Sequence, residues 1–540
     1  MAKQVNEFES TTLISRGGWD ANRNWLELSQ NSPTGAAELI NYEPSLFGGY
    51  RRINGFEVLE DTDSGEVDPT GAEGKILGVA IFDGKIIAAR KQQSGATYSF
   101  YLYVNGSAWS EYAPGFSLSS TGVNRIRYAT FNFDGNPSII FVDGVNNATI
   151  FNGTTWTQVD PTDTGATYAN AGGAQALAAP SCVAIFENHI FLSGDPTYQH
   201  VVAHSAPNAE YDWTAANGAG QLFSSMEVNQ ISAFRDKLYV FSPEEIDRIY
   251  VDSGAFVLKD VTKRTGCIAA DSVIEINGDL VFLANDGFRP IAATERIDDI
   301  ELATFSKKIQ SEVRDAIRTT VGADIVAVQI PSKSQFRCFF ASSSTIESAA
   351  PGFLAGLRES PDGINWEWAK LQGIKLSCAT QGFFGALNTE TIIHGTFDGK
   401  VMIQETGTSF NGSDIYSRFT TPYLDLGAPS VRKSLHEIML FLRAEGDADI
   451  TLGIKYDWGL TDRTINPNDY DLVSEASIGS VYGLAIYGTD TYSSSTTTPL
   501  IVSNIQGSGR SFNLTFVNTS TDPCWTVMGQ VIKYKTHGYS

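Results

Sequence analysis

The chain has little of what most functional classes need. It is 540 residues long, yet no apolar run reaches the roughly 20 residues of a bilayer-spanning helix, so no membrane span is expected. The first eighteen residues, Met1–Gly18, hold no apolar core and no small-residue cleavage site, so no secretory signal is expected. Cysteine is scarce and scattered: Cys182, Cys267, Cys338, Cys378 and Cys524, with no C-x-x-C pair. That pattern argues against a zinc knuckle or a disulfide frame and suits buried thiols in a reducing cytosol. Basic charge is short as well. Lys and Arg number 38 against 61 Asp and Glu, for a net charge of −23. Such a chain repels a phosphate backbone overall, which argues against tight nucleic-acid binding but not against passage of DNA along a repelling wall. There is no G-x-S-x-G, no phosphate-binding glycine loop and no Cys–His dyad signature. These absences point to a structural protein rather than an enzyme, with no cofactor and no metal.

What is present is β-forming. Hydrophobic residues make up 42% of the chain, aromatics 11%, and there are 50 glycines, a composition suited to strands and tight turns. The length predicts two or three domains, or a repeat array with an appended domain. Short apolar strands flank a turn dipeptide in "GVAIFDGKIIAAR", and the pattern returns along the chain. With Gly84, Gly135, Asn188, Asp236, Gly278, Ser334 and Asn388 as turn markers, the spacing runs from 42 to 56 residues. A period of about 50 residues with four strands per unit is the signature of a β-propeller, because one four-stranded sheet cannot cover both its faces and must pack on the next.

The expected fold is therefore all-β: an irregular propeller of six or seven blades over 75–405, preceded by an N-terminal segment and linker over 1–74. An antiparallel β-sandwich follows over 406–540, where the strands lengthen. "VNGSAWSE", "FNGTTWTQ" and "PDGINWEW" each set a tryptophan three residues after a turn dipeptide, in the second hairpin of a blade, where the ring would pack between sheets. One segment breaks the pattern. Ala303–Thr320 places Phe305, Ile309, Val313 and Ile317 at helical spacing, with Ser306 as the N-cap, and predicts an inserted helix.

Four stretches resemble chemical motifs and fall short of them. "DTDSGEVD" sets Asp61 and Asp63 at calcium-loop spacing, but Gly65 and Ala72 stand where oxygen ligands belong. His200 and His204 lie in strand context, about 13 Å apart for that spacing, too far to share a metal. "SPDGINW" is one residue short of a sialidase Asp-box, and "GTFDGK" lacks P-loop spacing. No pair of carboxylates stands out as a glycosidase couple.

The segment "AAELINYEPSLFGGYRRINGFE" (Ala36–Glu57) resembles the N-terminal signature of the tail nozzle proteins of short-tailed bacteriophages. "VAIFENHIFLSGDP", "NAEYDWT", "FRDKLYVFSPEEIDRI" and "INGDLVFLANDGFRPI" are similar to that family's central blades, and "GRSFNLTFVNTSTDPCWTVMGQVIKYK" to its closing sandwich strands. The resemblance implies a homohexameric ring below the portal and adaptor, meeting the tail fibre or spike and the needle or knob. The ring would be assembled in the host cytoplasm, reside in the virion tail, extend the DNA-ejection channel and help retain the packaged genome. It also implies that Asn41, Tyr42, Gly48, Gly49, Tyr50, Arg51, Arg52, Gly55 and Phe56 belong to an adaptor-facing or inter-subunit element, with Arg51 and Arg52 paired to carboxylates of a neighbour. An equal alternative makes this segment the closing strand of the propeller. Six copies carry 6 × −23 = −138 charges, which would let DNA pass with little friction. The competing expectations are a receptor-binding or glycan-degrading tail protein on a propeller and a kelch-like scaffold, whose repeats would be more regular.

Overall fold

A computed structural model describes residues 8–31, 33–46, 48–59, 74–92, 95–161, 175–292, 304–346, 349–360, 363–459, 466–474 and 500–537. The Asp61/Asp63 motif and most of the acidic linker lie outside them. The fold is all-β. Each of the seven turn markers sits at or beside the turn joining the innermost and second strands of a sheet. Asp83-Gly84, Glu187-Asn188 and Asn277-Gly278 have positive φ at both positions, the geometry that matches the twist of a two-residue hairpin. In the fourth sheet the left-handed residue is Arg235, one before the marker.

Six of these sheets are complete blades: 76–119, 127–158, 182–223, 230–262, 326–372, and a last one built from Cys378–Phe384, Thr389–Gly395 and Val401–Gln404. A three-stranded sheet, Ile274–Ile276, Asp279–Ala284 and Gly287–Pro290, stands between the fourth and fifth of them. The last blade takes its outer strand from the N-terminal segment: Phe56–Val58 pairs antiparallel with Val401–Gln404. The ring closes because Cys378, Phe384, Ile393 and Val401 of this blade pack on Ile76, Val79 and Ile86 of the first.

The sandwich has two sheets. One runs through Tyr42–Pro44, Tyr50–Arg52, Trp525–Thr536, Lys433–Ala444 and Leu500–Asn504, with Glu9–Ile14 also on Trp525–Thr536. The other does not stop at the domain boundary. Strand Glu38–Ile40 lies parallel to Gly363–Gln372 of the propeller on one side and antiparallel to Ile415–Thr420 of the sandwich on the other. A single nine-stranded sheet therefore passes from blade into sandwich.

The predicted helix is present in shorter form. A 3-10 turn at Lys307–Ile309 leads into a helix at Gln310–Thr319, with Ile309 and Val313 buried and Phe305 and Ile317 packed against the same core. Ser306 makes no side-chain cap; its Oγ accepts the N–H of Phe288 at 2.9 Å and ties the helix start to the three-stranded sheet. All five cysteines are free and buried. Among the described residues no helix is long and apolar enough to cross a membrane.

Candidate functional site

The nine residues singled out by the sequence converge on the seam between propeller and sandwich. Asn41 adopts a left-handed backbone (φ 56°) and acts as a rivet. Its Nδ2 donates to the carbonyls of Gln372 at 2.9 Å and Tyr416 at 2.7 Å, and its Oδ1 accepts the N–H of Gln372 at 2.9 Å. One side chain thus joins a propeller strand to a sandwich strand. Asn41→Ala removes these three part-buried hydrogen bonds and is expected to lower stability by roughly 1–3 kcal/mol, read from the urea midpoint.

Tyr42 and Tyr50 are fully buried, edge-on to Trp525 at 5.4 Å and Phe419 at 5.3 Å. Tyr50 Oη also accepts the N–H of Gly18. Phe56 stacks on Phe410 at 4.9 Å and meets His394 edge-on at 5.1 Å. The glycines are there for closeness: a Cβ on Gly49 would sit 2.2 Å from the Val527 carbonyl oxygen, and one on Gly55 1.9 Å from that of Ser409. Gly48 has φ 93° beside exposed Leu46 at the hairpin tip, the part of this element that faces solvent.

Arg51 and Arg52, expected to meet a neighbour's carboxylates, find partners in their own chain. Arg51 makes a bidentate pair with Glu445, both bonds 2.7 Å, and a 3.1 Å contact to Glu43. Arg52 is fully buried and donates to the carbonyls of Asp522, Ser520 and Ile415; burial lowers its pKa.

Glu43 is the hub of this seam and was not singled out by the sequence. Its buried carboxylate accepts from Lys333 at 2.8 and 3.0 Å, Gln335 at 3.1 Å, Arg337 at 3.2 Å and Arg51. Glu405, on the segment leading into the sandwich, shares Lys333 and Arg337, the latter at 2.6 Å. Burial alone would push the Glu405 carboxyl up; Arg337 and Lys333 reverse this and hold it well below the usual carboxylate range.

A cavity of about 200 Å3 between the inner strands of the propeller is lined by Val79, Tyr128, Val183, Gln230, Val326 and Cys378, with Arg125, Arg127 and Asp271 among them. Arg127 binds Asp271 through two bonds of 2.7 and 3.0 Å and donates to the Ser181 carbonyl. Arg125 donates to the Ala323 carbonyl at 2.9 Å. Burial raises the Asp271 pKa, but the two arginines outweigh it and bring it below its ordinary value. Among its lining residues this cavity thus holds one carboxylate, already committed to an arginine.

His394 lies fully buried on the second strand of the last blade, with Gln404 at 3.1 Å from Nδ1 and no partner at Nε2. Burial lowers its pKa from 6.5 to about 3. Because the folded state holds the ring neutral, the unfolded chain takes up the proton first as pH falls. This contribution is whole above pH 6.5 and is lost towards pH 3, at about 1.4 kcal/mol per pH unit. Between pH 6.5 and 4 the wild type is expected to lose roughly 3 kcal/mol through this group. Denaturant titrations of His394→Met over the same window should show a slope shallower by one proton.

A second group of acids sits in the fourth blade. Ligand atoms of Glu245, Asp247 and Asp260 lie within 4.8 Å of one another. Glu245 Oε1 and Asp247 Oδ1 are buried with no hydrogen-bond partner, and Lys263 holds Asp260 at 2.7 Å. Burial raises the Asp247 pKa, and neighbouring Glu245 and Asp260 add to it against the hydrogen bond from Ser224. His204 is buried on strand Val201–His204, while His200 precedes the strand, and the described residues bring no metal-ligand set around them.

No family pattern matches the chain, and no curated protein does. Among solved structures, a family 43 arabinoxylan arabinofuranohydrolase from Bacillus subtilis aligns at 11% identity and TM-score 0.24, covering 87% of this chain and 97% of that one. An exo-beta-1,3-galactanase from Phanerochaete chrysosporium aligns at 10% identity and TM-score 0.22, covering 89% and 100%. The Pan2 WD40 domain of Neurospora crassa aligns at 5% identity and TM-score 0.32, covering 61% and 88%. The expectation that the chain is no enzyme is corrected on this finding and set aside, since two of these neighbours are glycoside hydrolases. Scores this low assign no activity, substrate or partner in its place.

Proposed function

We propose that the chain is a building block of a phage tail nozzle, a homohexameric ring below portal and adaptor that extends the DNA-ejection channel and helps retain the genome. The observation that carries this reading is the nine-stranded sheet shared by propeller and sandwich, riveted by Asn41 and clamped by Glu43. Such a seam makes two domains one stiff body, the property a load-bearing ring subunit needs. In this reading the bore of the ring runs between subunits, and the charge of −23 per chain acts as a repelling wall for DNA. Fibre or spike and needle proteins dock on the completed ring.

Negative-stain imaging and mass photometry of the purified chain, alone and with adaptor, test the reading. A six-fold ring of six 58.5 kDa chains is expected. A chain that stays monomeric with adaptor and is absent from purified tails sinks it.

The Glu245, Asp247 and Asp260 group favours a second reading, a glycan-degrading tail protein on a propeller. A raised acid beside an exposed carboxylate is the division of labour that glycoside hydrolysis uses. Release of reducing sugar from host envelope polysaccharide, abolished in both Asp247→Asn and Asp260→Asn, would support it.

A further inference from the structure

Basic side chains gather in two cavities of this acidic chain, one around Arg264, Arg289, Lys307 and Arg314 with Asp286 among them, the other around lysines alone. At the blade junction where the ring closes, a cavity of about 700 Å3 is lined by Lys75, Lys91, Lys375 and Lys400, with Asp398 the lone carboxylate among the lining residues. Four ammonium groups against one carboxylate leave a local excess of three positive charges in a molecule of net charge −23. Among the described residues, Lys400 alone of these lysines has an ion pair, with Asp398. Among the described residues, no carboxylate lies within ion-pair distance of Lys75 or Lys91, and the Asp398–Lys400 contact is 4.0 Å. Lys75 and Lys375 instead sit over the ring of Phe397, at 5.2 and 5.7 Å from its centroid. Burial first, and nearby Arg125 next, lower the Lys75 pKa against a weaker pull from Asp324. Beneath the cavity, fully buried His394 lines the wall with an unpartnered Nε2.

We propose that this cavity binds a small phosphorylated anion carrying several negative charges. Lysines are point-charge phosphate binders. The volume is that of a small-molecule site. Phe397 provides an apolar wall for the ring of a phosphorylated sugar. A DNA duplex is too large for such a cavity and is repelled by the surrounding charge. The shared chemistry is the phosphate group, and its source is either a free polyphosphate or a phosphorylated sugar. The site stands on this geometry alone and is independent of the nozzle reading.

Isothermal titration of the full chain at low salt, with inorganic tripolyphosphate, glucose 6-phosphate and glucose as separate probes, tests it. Saturable binding of at least one phosphate probe, weakening with added salt, with glucose silent, is expected. Tripolyphosphate alone identifies a polyphosphate site; glucose 6-phosphate identifies a phosphosugar site. Lys91→Glu, at an exposed position, should weaken binding by about tenfold or more, and Lys75→Gln should do the same. Lys259→Glu, an exposed lysine on a distant blade, should leave affinity unchanged. Thermal melts establish that each variant is folded. Absence of binding by both phosphate probes, or an affinity equal to wild type in folded Lys91→Glu and Lys75→Gln, overturns the assignment.

Discussion

Glu43→Ala should lower stability by roughly 3–5 kcal/mol, the range for removing one partner of a buried ion pair. The size follows from what is left behind. Arg337 is buried and Lys333 is partly so, and both keep their charge when the carboxylate goes. Glu405 still neutralises part of that charge, so the loss is not that of an isolated ion. The sharper test compares variants. Glu43→Gln keeps an acceptor and should cost less than Glu43→Ala. A triple replacement of Glu43, Lys333 and Arg337 by apolar residues of similar size should cost less than the single alanine, because desolvated charge is removed rather than stranded. Denaturant midpoints decide the order. If the single alanine is within about 0.5 kcal/mol of wild type, the seam is not held by this hub.

Trp156→Ala is the second large effect, roughly 3–5 kcal/mol, as for a buried aromatic replaced by alanine. The ring stacks on Phe100 and Phe151, both at 4.4 Å, in the core shared by the first two blades. Its Nε1 is buried without a partner, so the ring's contribution is packing alone. Trp156→Phe loses part of that packing and removes the unpaired donor, and should cost less than half as much. Melting temperatures of the two variants provide the measurement, and a neutral alanine variant would mean that this interface contributes nothing to the fold.

The tryptophan is also where the sequence was most legible. Trp109, Trp156 and Trp366 all stand in second hairpins of blades, as the turn dipeptides predict. The inner turns were readable for the same reason: positive φ favours Gly, Asn and Asp, which mark most of these turns at blade spacing, although Glu187, Arg235 and Ser334 adopt it as well. The helix was readable from its buried stripe, but not its start, because Ser306 answers to Phe288 rather than to its own helix.

The site was far less legible. Glu43 meets Lys333 across 290 residues, and Arg127 meets Asp271 across 144. No local pattern records such pairings. The family resemblance implied that Arg51 and Arg52 pair with carboxylates of a neighbouring subunit. Here the tight turns at Gly49 and Gly55 draw the segment inside, where Arg51 meets carboxylates and Arg52 carbonyls. The lysines of the basic cavity are single residues on four separate stretches, and only closure of the ring gathers them.

That closure has a consequence for how the chain is made. Phe56 waits for Gln404, 348 residues later, before its blade has an outer strand, and Glu9 waits for Tyr534. At about 5–20 residues per second of synthesis, the first wait lasts roughly 17–70 s. During it the unpaired segment and the open flanks of the nascent blades are exposed to other chains on the same message. Production of this protein should therefore depend on slower crowding of ribosomes or on chaperones that shield strand edges, and truncation before residue 404 should yield aggregates rather than a smaller soluble propeller.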